Sequence, residues 1–153
     1  MTPALCDVNV WLALVLSAHA HHGAARRWLD SVDVERSVFF CRATQQSLLR
    51  LLTNAAVLAP YGNPPLTNDQ AWAVYEALAA DGRIAMWTDE PPGLEGAWKQ
   101  FALRPAPSPK LWMDAYLAAL ARAEGARLVT TDAAFRQFEG LDLELLDVAR
   151  PEN

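Results

Sequence analysis

Three aspartates carry the chemistry that this sequence can offer. Asp7 directly follows the apolar run Ala-Leu-Cys, Asp114 stands at the start of LWMDAYLAALARAEG, and Asp132 directly follows RLVTT. If the apolar runs are parallel strands, all three carboxylates stand at or near the carboxyl ends of one sheet, where open α/β folds place their ligands. Carboxylates gathered there repel one another unless a cation shares them, and hard oxygen donors suit Mg²⁺ or Mn²⁺. The chemistry that follows is metal-assisted phosphoryl transfer, with nuclease cleavage its leading form.

Two neighbours sharpen the pattern. Asn9 lies two positions after Asp7 at a strand-to-helix junction, where its amide can hold a metal-bound water or orient the carboxylate. Thr130 lies two positions before Asp132, and a hydroxyl there can meet a phosphate oxygen while Asp132 carries the charge. Simpler roles fit some of the same residues. Asp7 can be a helix cap, and Asp114 sits in a first helical turn, where the macrodipole favours an acid by about 0.3–1 kcal/mol. The stretch MDAYLAALARAEGARLVTTDAAF goes beyond capping, because it joins helix, glycine stop, strand and second aspartate in one unit.

The elements that must position these groups alternate along the chain. Ala4 to Val8 reads as a buried strand, followed by a helix over VWLALVLSAHA and a second helix over His22 to Asp30. Ser37 to Cys41 is the next β-like run, and Thr44 can cap a helix over QQSLLRLLTN. That helix directs leucines 48, 49, 51 and 52 to the core and leaves Gln46, Ser47, Arg50 and Asn54 on its polar side. APYGNPPL is a loop by its proline and glycine content, and Thr67 to Ala80 is a helix capped by Thr67 or Asn68. Arg83 to Trp87 is a third strand, Leu94 to Leu103 a short helix, and RPAPSPK a surface connection. A helix from Leu111 to Glu124 stops at Gly125, with strands to follow at Arg127 to Thr131 and Leu141 to Val148. Strands joined by connections too long for hairpins predict an α/β fold, with a mostly parallel sheet of about five strands covered on both faces.

The chain has 153 residues, 52% of them hydrophobic, which predicts a single domain over residues 1–150 with one good core. No apolar stretch is long enough to span a membrane and no basic region precedes a signal core, so a cytoplasmic protein is expected. A net charge of −5 argues against holding long nucleic acid by bulk electrostatics. It leaves a nuclease open, since acidic metal ligands subtract from the total while arginines act locally. Cys6 and Cys41 lie in or beside apolar runs and read as small buried hydrophobes. His19, His21 and His22 fall in a solvated turn between helices, without an acid or thiol at ligand spacing. Trp11, Trp28, Trp72 and Trp98 occupy helical core spacings, whereas Trp112 lies beside Asp114, where bases of a nucleic acid would pass. Arg26, Arg27 and Arg50 either contact phosphate or solvate helix faces.

The segments DVNVWLAL, TQQSLLRLLTN, MDAYLAALA and LVTTDAAF, in this order and spacing, resemble the PIN-domain ribonuclease toxins of the VapC family over nearly the whole chain. The resemblance implies a three-layer α/β/α sandwich around a parallel sheet, with an acidic cluster that binds Mg²⁺ or Mn²⁺ and cuts RNA. Position by position, Asp7, Asp114 and Asp132 match the family's acids, Asn9 the polar residue beside the first of them, and Thr130 the strand-end hydroxyl. Many members carry a Glu three residues before the Arg of the middle helix; here Ser47 precedes Arg50. Gln46 or Ser47 can act there through water, or Asp89 and Glu90 can supply the charge, and the number of metals stays open. The resemblance further implies a cognate antitoxin, a homodimer, and growth arrest through cleavage of tRNA or ribosomal RNA.

Three other functions fit parts of the same pattern. A phosphoacceptor receiver needs a lysine at a late strand end, and Lys99 and Lys110 flank the proline-rich segment, far from any strand terminus. A haloacid-dehalogenase-type phosphatase wants a second Asp where Asn9 stands. A degenerate PIN domain that binds without cleaving is compatible with Ser47 at the position of the missing Glu.

Overall fold

The computed structural model describes residues 2–147. Val148, the last residue of the expected fifth strand, and the end of the expected domain at residue 150 lie outside them. The strands are β1 (Ala4–Cys6), β2 (Val38–Cys41), β3 (Ile84–Trp87), β4 (Arg127–Thr130) and β5 (Leu143–Leu145). The helices are α1 (Val8–Val15), α2 (His22–Asp30), α3 (Arg42–Leu52), α4 (Ala55–Leu58), α5 (Asn68–Ala79), α6 (Leu94–Ala102) and α7 (Leu111–Ala123).

All four strand pairings are parallel, in the order β3-β2-β1-β4-β5. The register brings Leu5 beside both Phe39 and Leu128, and alternate residues then sort into two layers. Ala4, Cys6, Val38, Phe40, Ile84 and Val129 pack against α1, α2, α3 and α5. Leu5 and Leu128 face the other way, onto α6 and α7. This is the expected α/β/α sandwich. The interior strands β1 and β2 read as continuous apolar runs because both faces are covered.

One contact ties the first crossover to the sheet. Trp11 is fully buried, stacks on Phe40 with ring centroids 3.8 Å apart, and donates its indole N–H to the Cys6 carbonyl at 3.2 Å. That bond anchors α1 to the last residue of β1, immediately before Asp7.

The elements follow the expected order, with local departures. Val8 begins α1 instead of ending β1, because Asp7 has extended φ/ψ and caps the helix. Thr44 does not cap α3 from outside. β2 runs into α3 without a spacer, so Cys41 is the cap residue. Thr44, one turn inside, accepts the Cys41 N–H and donates to the Cys41 carbonyl, both at 3.0 Å. Asn54 caps α4, and the expected APYGNPPL loop opens with a 3-10 turn at Ala59–Tyr61. Thr67 caps α5 with Gln70 answering it. Trp72 is not core. It is 47% exposed because α5 buries only Ala71, and its indole binds Glu76 at 2.7 Å. Trp98 is half-buried, with its indole donated to the Trp112 carbonyl at 2.9 Å. No helix among the described residues is long and apolar enough to cross a membrane.

Candidate active site

Parallel strands point their carboxyl ends to one edge, and a crossover helix begins its return at that same edge. Asp7 after β1, Asp114 in the first turn of α7 and Asp132 after β4 are therefore brought to one side of the sheet by topology alone.

Asp7 is buried and held at both oxygens. Its Oδ1 accepts the Val8 N–H at 2.7 Å, and its Oδ2 accepts the Thr130 hydroxyl at 2.9 Å. Burial pushes its carboxyl up, those hydrogen bonds pull it down, and the charge of Asp132 adds to the rise. Thr130, fully buried, is the hub: its Oγ1 also accepts the Asp132 backbone N–H at 3.1 Å and the Asn9 amide at 3.3 Å. The Asn9 carbonyl oxygen accepts the Thr131 N–H at 3.3 Å. Asp132 is exposed and caps the 3-10 turn Ala133–Gln137 by accepting the Ala134 N–H at 2.9 Å. Capping and site geometry thus coexist in Asp7 and Asp132, because one carboxylate oxygen can accept a backbone N–H and keep further lone pairs.

Asp114 and Asp132 line one open cleft of about 730 Å³. The Asp114 carboxyl is pushed up to about 6, first by burial, then by the charges of Asp7 and Asp132, with Lys110 opposing. The three acids therefore act on one another. As the side chains lie, no three acid, thiol or imidazole groups among the described residues stand close enough to share an ion. The donor set is nonetheless of the kind that fits one: hard oxygens on separate segments, with the charge of Asp132 raising the carboxyls of both Asp7 and Asp114.

Arg50 is exposed and lines a separate groove with Leu49, Asn68 and Trp72, which contains none of the three acids. Ser47 is partly buried on α3 and Gln46 is exposed. Glu90 accepts the Tyr116 hydroxyl at 3.0 Å, and neither it nor Asp89 is among the charges that move Asp7 or Asp114. Arg26 pairs with Asp30 at 3.3 Å on the face of α2. His19 and His21 lie in the turn between α1 and α2 and His22 opens α2, but none of the three is fully solvated: His22 bonds the Ala13 carbonyl and His19 stacks on Tyr61.

Arg104 and Gln137 line the cleft in addition to the residues the sequence points to, and Lys110 lines it against expectation. Lys110 was expected far from any strand end; packing of α6 against α7 returns the proline-rich segment to the cleft that holds Asp132. A signal did exist. RPAPSPK is stiff, begins and ends on a cation, and leads directly into the helix of Asp114.

A parallel sheet that gathers three acids from separate crossovers at its carboxyl edge, beside a cationic cleft wall, defines an α/β domain built to handle a charged ligand. The family model of the PIN domain matches residues 4–141, and the chain belongs to that family. Ribonuclease VapC41 of Mycobacterium tuberculosis is 59% identical over 142 residues, which cover 93% of this chain and 97% of that one. Among solved structures, VapBC2 of Rickettsia felis, bound to a DNA fragment from its promoter, superposes with a TM-score of 0.63 at 14% identity, covering 94% of this chain and 98% of that one. Mycobacterium tuberculosis VapC20, described as a sarcin-ricin loop cleaving toxin, gives a TM-score of 0.61 at 20% identity, covering 97% and 99%. At these identities the two structures establish the shared fold.

Proposed function

We propose that this chain is the endoribonuclease toxin of a toxin–antitoxin pair, a metal-dependent enzyme that hydrolyses RNA phosphodiester bonds. The ribonuclease assignment draws on the relative that is 59% identical over nearly its whole length. The site assignment is carried by one observation: Asp7, Asp114 and Asp132 come from three separate segments to one sheet edge, with two of them in a single open cleft. Together they would hold Mg²⁺, with Mn²⁺ as the alternative. A divalent ion bound there supplies Lewis acidity toward phosphate and lowers the pKa of a coordinated water.

The residues themselves have distinct tasks in this reading. Thr130 and the Val8 N–H fix the Asp7 carboxylate in one orientation. Asn9 braces Thr130 and the Thr131 backbone, so the ends of β1 and β4 move as one. Asp114, with burial and like charge against it, gains from a cation. Arg104 and Lys110 on the cleft wall attract the phosphodiester that the three acids alone would repel. Ser47, or Gln46 beside it, acts through water where many members of the family carry a Glu, and Arg50 meets substrate outside the acid cleft. The reading takes residues 1–150 as one cytoplasmic domain, self-associating as a dimer and held inactive by a cognate antitoxin.

Incubation of the purified protein with total RNA and Mg²⁺ or Mn²⁺, beside the Asp7→Asn and Asp114→Asn forms, tests it. Metal-dependent fragments that disappear in both variants are the expected result. Equal cutting by all three forms would expose a contaminant, and intact RNA with every metal would leave a binding module in place of an enzyme.

A further inference from the structure

Next to the acid cleft lies a second hollow of about 720 Å³, and the two share Arg104 and Gln137. Its lining also includes Arg122, Gln100 and one acid, Glu139. Neither arginine is paired with a carboxylate among the described residues. Arg104 donates to the Leu103 carbonyl at 2.9 Å and to Gln137 Oε1 at 3.4 Å. Arg122 lies over the Phe101 ring, 5.7 Å from its centroid, and reaches the Glu139 carbonyl at 3.5 Å.

Arg122 is exposed, rests on the Phe101 ring and lies beside the backbone of Gly140, whose φ of +73° belongs to the left-handed region. Most of its N–H groups stay free, and its planar fork suits two phosphate oxygens at once.

The location selects the ligand. On a chain of net charge −5, a polyanion entering the acid cleft is repelled over much of the surface. It leaves most favourably where guanidinium groups stand uncompensated, and the glutamine amides beside them offer both donors and acceptors to sugar hydroxyls and base edges. We infer that the Arg104–Arg122 hollow is a track for the phosphodiester backbone of single-stranded RNA flanking the segment in the acid cleft. The inference rests on the ribonuclease reading.

The test is fluorescence anisotropy with a short labelled single-stranded RNA at increasing salt, using the full chain in the Asp114→Asn background. Arg104→Ala and Arg122→Ala should each weaken binding roughly tenfold at low salt and reduce the slope of log K against log salt by about 0.7. Arg122→Lys should retain the slope and lose part of the affinity, since an ammonium cannot supply the fork. Arg26→Ala, on the far smaller task of pairing with Asp30, should change neither. If an alanine variant fails to fold, Arg104→Gln and Arg122→Gln remove the charge at similar length.

Unchanged affinity and slope in the arginine variants, with RNA cleavage by the wild type intact, would overturn the track and leave the ribonuclease standing. Absence of both binding and cleavage in the wild type would remove both readings. Loss of binding to polyglutamate, with the RNA slope unmoved, would assign the hollow to an acidic protein partner and equally overturn the proposal.

Discussion

The Thr130 hydroxyl donates to Oδ2 of Asp7 at 2.9 Å, joining the ends of β4 and β1 across 123 positions of the chain. A buried carboxylate is tolerable only while such donors remain, so this bond carries both stability and the orientation of the acid. Thr130→Val keeps the shape and removes the donor, and also unseats the Asp132 N–H and the Asn9 amide. It should cost about 1–3 kcal/mol in urea unfolding, with a marked fall in RNA cleavage, while Thr130→Ser retains most of both. A valine variant as stable and active as the wild type would dismiss the hub.

Asp114 offers a stability test that does not depend on turnover. Its carboxyl titrates at about 6 in the folded protein, through burial first and the charges of Asp7 and Asp132 next, against about 3.9 in an unfolded chain. A carboxyl raised by folding favours the folded state at low pH and loses that advantage as pH rises from the unfolded value to the folded one. The penalty is complete above pH 6. Metal-free Asp114→Asn should therefore be more stable than the wild type at about pH 7.5, by about 1 kcal/mol once solvent screening is allowed for. The gain should vanish near pH 4, and Mg²⁺ should raise the melting temperature of the wild type more than that of the variant. Chemical denaturation at the two pH values checks the sign, and a variant destabilised at neutral pH contradicts it.

Arg83 secures the start of β3. Its guanidinium binds Asp81 at 2.7 and 3.0 Å and donates to the Leu29 carbonyl at 2.6 Å, tying β3 to the end of α2. The side-chain hydrogen bonds from Arg83 hold the Asp81 carboxyl down at about 2. Stability from that pairing is fully present above about pH 4, the unfolded value, and is lost as pH falls through 4 to 2. Arg83→Met should cost about 1–3 kcal/mol at neutral pH and distinctly less at about pH 2. Equal destabilisation at both values would place the whole effect in the Leu29 bond.

Trp11 separates packing from polar anchoring. Trp11→Ala should cost about 3–5 kcal/mol, from the cavity left against Phe40. Trp11→Phe keeps a ring on Phe40 but frees the Cys6 carbonyl, for about 1–3 kcal/mol. Because Cys6 adjoins Asp7, hydrogen exchange at the β1–α1 junction should quicken in the phenylalanine form. Exchange unchanged there would show that packing alone holds the junction.

Much of this protein is written locally. Apolar runs of strand length alternate with helices too long to be hairpin loops, and that alternation leaves little choice but a parallel sheet with Asp7, Asp114 and Asp132 at one edge. A cap is legible where side chain and backbone are neighbours: of the two candidates Thr67 and Asn68 the structure selects Thr67, and adds the answering bond from Gln70. Thr44 was misjudged because its role depends on where β2 ends, which sheet pairing decides. Trp72 was misplaced because helical spacing says which residues share a face, and only packing says which face is covered.

Strand polarity and crossover length are properties of contiguous segments, and they suffice to bring Asp7, Asp114 and Asp132 to one edge of the sheet. What surrounds the acids depends on packing: the bond from Thr130 to Asp7, the return of Lys110 to the cleft, the position of Arg122 over Phe101 and the place of Arg50 in another groove. Those relations are set by how helices settle on a sheet, where small differences in burial between distant segments choose the arrangement. No spacing along the chain encodes that choice.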